Sequence, residues 1–364
     1  MDTITLELRS QLRSLNAYIS LINNIDVSRI KVKLLENAIE IQIEDETYNL
    51  PLCGVKLLPS SLSSLGITNR WIFFRIQTQP NSIYGTFETE LINSENKSTN
   101  FLNITNKVKL PPQNVNCKLI CICCKNEVTK TICFQRILPL PSVDCDPQEW
   151  FCCKHSNDEP FSLNPGESDL FYSINYSIFN KNIFKENLKL RKLLIHCSRC
   201  FTILGSSNYK NLKSIKIWNC CIEYKISNNN TILKGVPPLT DFLSTIKHTA
   251  ELITGEKILL EAQDVNSIHY ILLRPMEAKL NLFTEEKLNS KNQILNLNSS
   301  FVVKILYKYG ESNKTTKHND PDIKYCELAL PSILAGMDQL VNSSIRFPPV
   351  YRKADDFYIG YLPM

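Results

Sequence analysis

The amino-acid sequence predicts a strand-rich α+β protein, and two observations lead to that prediction. Apolar and polar residues alternate through the first third of the chain, and short β-prone runs continue through its middle. A period of two residues is typical of half-buried β-strands. Apolar residues spaced three or four apart, as on one face of a helix, occur mainly after residue 235. We therefore expect an N-terminal β sheet, a central β region and a C-terminal α+β part.

Several runs in the N-terminal segment have the pattern of strands. Residues 4–8, 30–34 and 39–43 carry an apolar side chain at every second position, and a plausible hairpin turn at 36–38 separates the last two runs. Residues 71–76 are bulky and β-prone. Polar residues 91–107 indicate a loop or a long hairpin connection.

The central segment contains further short β-prone runs. We predict strands at 118–123, 131–138, 190–195 and 214–218, with a loop of turn-forming residues at 157–168. The first and third of these strands each lead into a short pair of cysteines.

Two helices are expected late in the chain. The first is predicted to end before Gly255, and its apolar residues at helical spacing are Leu239, Phe242, Ile246, Ala250 and Ile253. The second begins near Pro331, because proline is favoured in a first helical turn, with Ile333, Leu334, Met337 and Leu340 on one face. Strands are expected at 269–273, 301–309 and 357–362.

The clearest boundary is the Gly/Pro-rich stretch at 235–241. We divide the chain into an N-terminal β-rich domain at 1–116, a central β region at 117–234 and a C-terminal α+β region at 235–364. With 364 residues, the chain is long enough for two domains or one large one.

Composition limits the classes of function. Hydrophobic residues make up 43% and charged residues 21%, as in ordinary soluble proteins. The net charge of +5 is spread along the chain, and basic and aromatic residues do not cluster in sequence around the cysteine pairs, so direct nucleic-acid binding is not expected. Neither a membrane span nor a secretory signal is expected, because no long apolar run occurs and residues 1–20 carry charges.

The cysteines then indicate metal binding. In a reducing intracellular medium, fourteen cysteines suggest metal ligands and buried thiols rather than disulfides. Cys121 and Cys124 form one pair with two intervening residues, and Cys197 and Cys200 form another. Two such knuckles supply the four soft ligands of a tetrahedral structural Zn²⁺. The predicted central region is therefore a zinc-stapled β region.

A second set of ligands competes with this one. Cys152, Cys153 and His155 are close in sequence and could join Cys197 and Cys200, which would leave the first knuckle as a bystander or in a site with Cys117. The two-knuckle site is preferred because each knuckle is a preformed half-site. His196 should point to the opposite face of its strand and be a surface or packed residue. The remaining thiols in β-prone runs are expected in the core: Cys53, Cys133, Cys220 and Cys221.

Three cysteines are candidate nucleophiles. Cys152 and Cys153 lie beside Lys154 and His155, which would favour a thiolate if the side chains converge. Cys326 is the only cysteine after residue 221.

A proline-constrained apolar element lies between the cysteine pairs. Proline fixes φ and lowers the entropy lost on binding, so this element and Trp150 are candidates for partner docking. The alternative is a rigid strand exit packed on the zinc site. The element consists of Leu138, Pro139, Leu140 and Pro141.

The order of these motifs resembles a known family. A knuckle is followed by Leu-Pro-Leu-Pro-Ser at 138–142, then Trp150-Phe-Cys152, a second knuckle followed by Leu204-Gly205, and a strand ending in Trp218. This order, together with residues 340–352 and 359–362, is similar to the E2-binding, HECT-like ubiquitin ligases of fungi. The first knuckle departs from the family by having Lys125-Asn126 in place of a glycine, although Asn can adopt the left-handed conformation that such turns need.

The resemblance implies partners, activity and location. It implies binding of a ubiquitin-conjugating enzyme (E2), HECT-like transfer of ubiquitin, and a location in the cytoplasm and nucleus. It also implies a link to the endonuclease of pre-mRNA 3′-end processing, for which the protein could be a non-catalytic, zinc-stabilised adaptor or chaperone. HECT lobes carry their thioester cysteine near a Leu-x-Leu-Pro element, and Cys326 precedes Leu-Ala-Leu-Pro at 328–331.

Overall fold

The computed structural model describes most of the chain. The described residues are 1–68, 70–79, 108–140, 164–184, 188–208, 211–227, 231–285, 294–312 and 322–363. Across them, strands far outnumber helices and are arranged in four sheets, which confirms the prediction of a strand-rich α+β fold. The expected loop at 91–107 and most of the one at 157–168 lie outside these residues.

The N-terminal part is built from strands and short 3₁₀ turns. Its strands are β1 (Thr3–Arg9), β2 (Ser14–Ser20), β3 (Ile30–Leu34), β4 (Ala38–Ile43), β5 (Glu46–Pro51), β6 (Leu57–Ile67) and β7 (Trp71–Thr78). As predicted, β3 and β4 pair as an antiparallel hairpin, and β5 completes a three-stranded sheet. Ile4, Leu6 and Leu8 are buried on β1, but so are Thr5 and Glu7, so both faces of this strand are covered.

The central part contains eleven described strands. They are β8 (Asn116–Cys121), β9 (Ile132–Cys133), β10 (Arg136–Pro139), β11 (Asp169–Tyr172), β12 (Tyr176–Asn180), β13 (Leu188–Arg191), β14 (Leu194–Cys197), β15 (Ile203–Asn208), β16 (Asn211–Trp218), β17 (Ile222–Ile226) and β18 (Ile232–Leu233). The single strand predicted at 190–195 is wrong, because Lys192 takes a left-handed φ of 56° and turns the chain into a β13–β14 hairpin. The strand predicted at 131–138 is likewise two strands, β9 and β10.

The C-terminal part contains the two α-helices of the described residues. Its elements are α1 (Pro238–Thr249), β19 (Lys257–Gln263), β20 (Ile268–Glu285), β21 (Leu297–Ser312), β22 (Ile323–Glu327), α2 (Leu330–Ser344), β23 (Lys353–Ala354) and β24 (Phe357–Pro363). The first helix stops earlier than predicted, and Ile253 lies exposed beyond it. The second has Pro331 in its first turn as predicted, with Ile333 and Leu340 buried but Leu334 exposed.

The largest sheet joins the two ends of the chain. Its main path of strands is β23-β24-β21-β20-β1-β2-β7-β6, with β19 paired to β20 and β22 paired to β19. The antiparallel β1–β20 pairing hydrogen-bonds the N-terminal part to the C-terminal part. The domain boundaries after residues 116 and 234 stay predictions, but the first and third segments share this sheet.

The central part forms two further sheets. The seven-stranded sheet has the order β10-β11-β12-β16-β15-β14-β13, and the four-stranded sheet has the order β18-β17-β8-β9. Both contribute to one core, in which Phe134, Phe179 and Trp218 are buried with Cys121 and Cys197. Neither of the described helices is long and apolar enough to cross a membrane.

Candidate metal centre

The two cysteine knuckles meet where two strands of different sheets end. Cys121 is the last residue of β8 in the four-stranded sheet, and Cys197 is the last residue of β14 in the seven-stranded sheet. Both are fully buried, whereas Cys124 and Cys200, at the far end of each knuckle, are partly exposed. Packing of the two sheets therefore brings together cysteines that are more than seventy residues apart.

The backbone of the two knuckles is the same. The Lys125 N–H donates to the Cys121 carbonyl (2.8 Å), and the Phe201 N–H donates to the Cys197 carbonyl (3.0 Å). Lys125 and Phe201 both have left-handed φ values, 59° and 60°. This conformation is uncommon for side chains of that size, and it bends each loop back over its own strand end. In the first knuckle it is therefore Lys125, not Asn126, that takes the left-handed position.

The four sulfurs have the spacing of a metal site. Cys121 Sγ lies 3.6 Å from Cys200 Sγ, and Cys124 Sγ lies 3.6 Å from Cys197 Sγ. All four ligand atoms are within 4.8 Å of one another. A Zn–S bond of about 2.3 Å places tetrahedral sulfurs roughly 3.8 Å apart, whereas disulfide sulfurs are about 2.05 Å apart. The four cysteines therefore lie close enough to bind one metal ion and are not arranged as disulfides.

Polar contacts around the cluster hold the two knuckles together. Asn126 Nδ2 lies 3.8 Å from Cys197 Sγ of the opposite knuckle, and Arg199 Nη1 lies 3.5 Å from the Cys124 carbonyl. Lys125 forms an ion pair of 2.6 Å with Glu223, which is buried on β17. Glu223 and the contact of Asn126 were not predicted from the sequence. A polar residue directly after a knuckle was the one local signal for the latter.

The thiols differ in their tendency to ionise. Burial raises the pKa of Cys121 and of Cys124. Burial acts in the same direction at Cys200, but hydrogen bonds with the Thr202 side chain and backbone and with the neighbouring thiols outweigh it, and the pKa falls to about 6. A bound cation would favour the thiolate at every position, because ligation replaces a proton by the metal.

Of the competing ligands, Cys117 alone lies among the described residues. Cys152, Cys153 and His155 lie outside the described residues. Cys117 is buried in the core, where burial raises the pKa of its thiol to about 12. His196 is a packed residue, one of the two states expected for it: it is 1% exposed, and Nδ1 lies 2.9 Å from the Phe201 carbonyl oxygen.

The other cysteines have varied surroundings. Cys220 and Cys221 are buried, as predicted, but Cys53 is exposed, so its assignment to the core was wrong. The exposure follows from its position next to Gly54, in the turn between β5 and β6. Among the candidate nucleophiles, Cys326 lies on β22, and burial raises the pKa of its thiol to about 11.

The candidate docking element lies at an edge of the seven-stranded sheet. Leu138 and Pro139 are exposed on β10, and the Leu140 N–H donates to the Tyr172 carbonyl (2.7 Å). In the strand order, β10 is at the opposite end of the sheet from the β13–β14 hairpin that leads into Cys197. Pro141 and Trp150 lie outside the described residues.

Comparison with known proteins identifies the family. A family model described as HECT-like ubiquitin-conjugating enzyme (E2)-binding matches residues 7–359. No curated protein and no solved structure matches the chain. The match spans all three segments, including both knuckles and the strands that carry them. The chain therefore belongs to the family of HECT-like, ubiquitin-conjugating enzyme (E2)-binding proteins.

Proposed function

We propose that this protein binds a ubiquitin-conjugating enzyme and promotes transfer of ubiquitin from it, as an E3 ligase-like protein. The observation that carries this proposal is the family match over residues 7–359, because the family is described as E2-binding. Its partners are then an E2 and, through the E2, ubiquitin.

We further propose that Cys121, Cys124, Cys197 and Cys200 hold a structural Zn²⁺. Four thiolates favour zinc over hard cations such as Mg²⁺ or Ca²⁺. Four protein ligands also leave no open position for water or substrate, so the ion would have no catalytic part. Its effect would be to hold the end of β8 against the end of β14.

Two routes of ubiquitin transfer are chemically distinct. In the first, a thiolate of this protein attacks the thioester carbonyl carbon, a new thioester forms, and the E2 cysteine leaves as a thiolate. In the second, this protein holds the substrate and the E2 together while an amine of the substrate attacks the E2 thioester carbonyl carbon; an isopeptide bond forms, the amine loses a proton, and the E2 cysteine leaves as a thiolate. The raised pKa of Cys326 supports the second route among the described residues, because the thiol is protonated at neutral pH and a thiol is a poor nucleophile.

The test uses the full-length protein and a panel of ubiquitin-charged E2 enzymes. We expect saturable binding of at least one E2, faster discharge of its ubiquitin to free lysine, and no reductant-sensitive ubiquitin adduct on this protein. Failure to bind any E2 would contradict the proposal. An adduct that disappears in Cys326→Ser, but persists in the control Cys53→Ser, would establish the first route instead.

The second candidate function is a non-catalytic, zinc-stabilised adaptor for the pre-mRNA 3′-end processing endonuclease, located in the cytoplasm and nucleus. The raised pKa of the partly buried Cys326 thiol favours this function, because a protonated thiol is a poor nucleophile for forming a thioester. Co-purification of the endonuclease with a tagged chain, without any E2 binding, would select this function, and imaging of the tagged chain would test its location.

A further inference from the structure

A basic and apolar surface lies beside the second knuckle. We name it the second-knuckle surface and define it by Lys189, Leu190, Arg191, Arg199 and Phe201. Leu190 is 53% exposed and Phe201 52% exposed. Lys189, Leu190, Arg191 and Phe201 line an open pocket of about 650 Å³. Large apolar side chains that remain half-exposed next to a pocket are typical of a binding surface rather than of a core.

The charges of this surface are not neutralised within the described part of the protein. Lys189 Nζ lies 4.8 Å from the centre of the Phe201 ring, and Arg199 contacts only a backbone carbonyl. Arg191 likewise has no carboxylate partner among the described residues. Four other lysines of the central part do have carboxylate partners: Lys118 and Lys225 pair with Glu127, Lys125 with Glu223, and Lys216 with Glu327. The second-knuckle surface is therefore complementary to a negatively charged partner.

Although basic and aromatic residues do not cluster in sequence around the cysteine pairs, Lys189, Arg191 and Phe201 meet in space beside the second knuckle. A nucleic acid and an acidic protein segment would both satisfy the charge. The surface has one exposed aromatic ring, whereas binding of single strands relies on several rings that stack successive bases. Leu190 offers an aliphatic contact, which suits an apolar side chain better than a base.

The backbone at this surface favours a peptide. Strand β13 is the last strand of its sheet among the described residues, and it pairs with β14 on one side. An edge strand presents unpaired N–H and C=O groups to which an extended peptide can add. Along β13, Lys189 and Arg191 lie on one face and Leu190 on the other, since side chains alternate.

We propose that the second-knuckle surface binds an extended, acidic segment of a partner protein, which adds to β13 as a further strand. The carboxylates of this segment pair with Lys189 and Arg191. An aliphatic residue between the acidic ones, on the opposite face of the added strand, contacts Leu190. The Cys197 carbonyl holds Phe201 in its left-handed conformation at the end of the knuckle, so the cysteine cluster supports one wall of this site. The proposal is independent of E2 binding.

The test measures fluorescence anisotropy with the full-length protein and defined probes. The first probe is the labelled peptide Glu-Leu-Glu-Val-Glu-Leu-Glu, the second is the same peptide with its central Val replaced by Pro, and the third is an oligouridine RNA. We expect saturable, salt-sensitive binding of the first probe, and binding of the second weakened by roughly tenfold, because proline removes an N–H donor.

Variants locate the site. We expect Arg191→Glu and Phe201→Ala each to weaken binding of the first peptide by roughly tenfold, since one reverses a charge and the other removes a wall of the pocket. Lys31→Glu, an exposed charge reversal on β3 in another sheet, is the matched control and should leave binding unchanged. Lys189→Glu is a second reversal if Arg191→Glu fails to fold. The proposal would be overturned if the first peptide does not bind, or if the RNA binds more tightly than this peptide. It would also be overturned if Lys31→Glu weakens peptide binding as much as Arg191→Glu does.

Discussion

The carboxylate of Glu7 on β1 lies 2.6 Å from Nζ of Lys304 on β21; Glu7 is fully buried, and the Lys304 side chain is 13% exposed. The Tyr361 hydroxyl donates to the same carboxylate (2.6 Å), as does Asn16 Nδ2 (2.9 Å). Burial would raise the pKa of Glu7, but Lys304 and these two hydrogen bonds lower it. This network joins the first strand of the chain to the last ones inside the ten-stranded sheet.

We predict that removing one partner of this pair destabilises the protein strongly. Lys304→Met leaves the Glu7 carboxylate buried without its cation, which typically costs about 3–5 kcal/mol of unfolding free energy. The double variant Glu7→Gln/Lys304→Met removes both charges and should recover much of that loss. Urea unfolding measures both effects. The control is Lys308→Met, which breaks a solvent-exposed pair with Asp356 and should cost at most about 1 kcal/mol. Similar costs for Lys304→Met and Lys308→Met would contradict the prediction.

The pH dependence of stability should contain a contribution from Asp241. This residue is buried on α1, Ser332 on α2 donates to its Oδ2 (2.7 Å), and burial raises its pKa to about 7. In the unfolded chain the pKa of Asp241 is near 4, so between about pH 4 and pH 7 the folded state binds more protons than the unfolded state. The contribution of Asp241 to stability therefore falls as pH rises through this range and stays low above pH 7.

The variant Asp241→Asn isolates this effect. It keeps an oxygen that can accept from Ser332 but does not ionise, so we expect the difference in unfolding free energy between pH 5.5 and pH 8 to change by an amount on the order of a few kcal/mol. Thermal or urea unfolding at both pH values provides the measurement. An unchanged pH profile in Asp241→Asn would show that the carboxyl ionises normally in the folded protein.

Asn126 should tune metal affinity without being a ligand. Its amide faces Cys197 Sγ across the two knuckles at 3.8 Å, and loss of such an outer contact typically weakens metal binding by about 10–100-fold. We expect Asn126→Leu to show this loss in a competition titration with a chelator, while the metal content at excess zinc stays unchanged. The exposed Lys31→Glu serves as the control. Equal zinc affinity in the Asn126→Leu and wild-type proteins would show that this contact does not affect metal binding.

Local features of the fold were predictable because they depend on neighbouring residues. The alternation of Ile39, Ile41 and Ile43 predicted β4, and the cysteine spacing predicted two knuckles. The β13–β14 hairpin was missed because its turn has Lys192 at positive φ and no glycine or asparagine to mark it. The end of α1 was misplaced because Ala250 is buried although it follows the helix, so the apolar spacing continued past Thr249.

Long-range features were not predictable from the sequence. Pairing of β1 with β20 joins residues more than two hundred positions apart, and no local pattern specifies it. The meeting of Cys121 with Cys200 likewise depends on how two sheets pack. The spacing of the cysteines predicted them as metal ligands, but it did not predict Glu223, which pairs with Lys125 of the first knuckle.

Whether the four cysteines hold a metal ion is decided by the zinc content of the purified full-length protein and of its single cysteine variants. We predict one zinc ion per chain in the wild-type protein and in Cys53→Ser, and loss of that zinc, with a less stable central region, in Cys121→Ser and in Cys200→Ser. Zinc that persists in Cys121→Ser, or a wild-type protein that binds no zinc when it is supplied, would contradict the assignment of this cluster as the metal site.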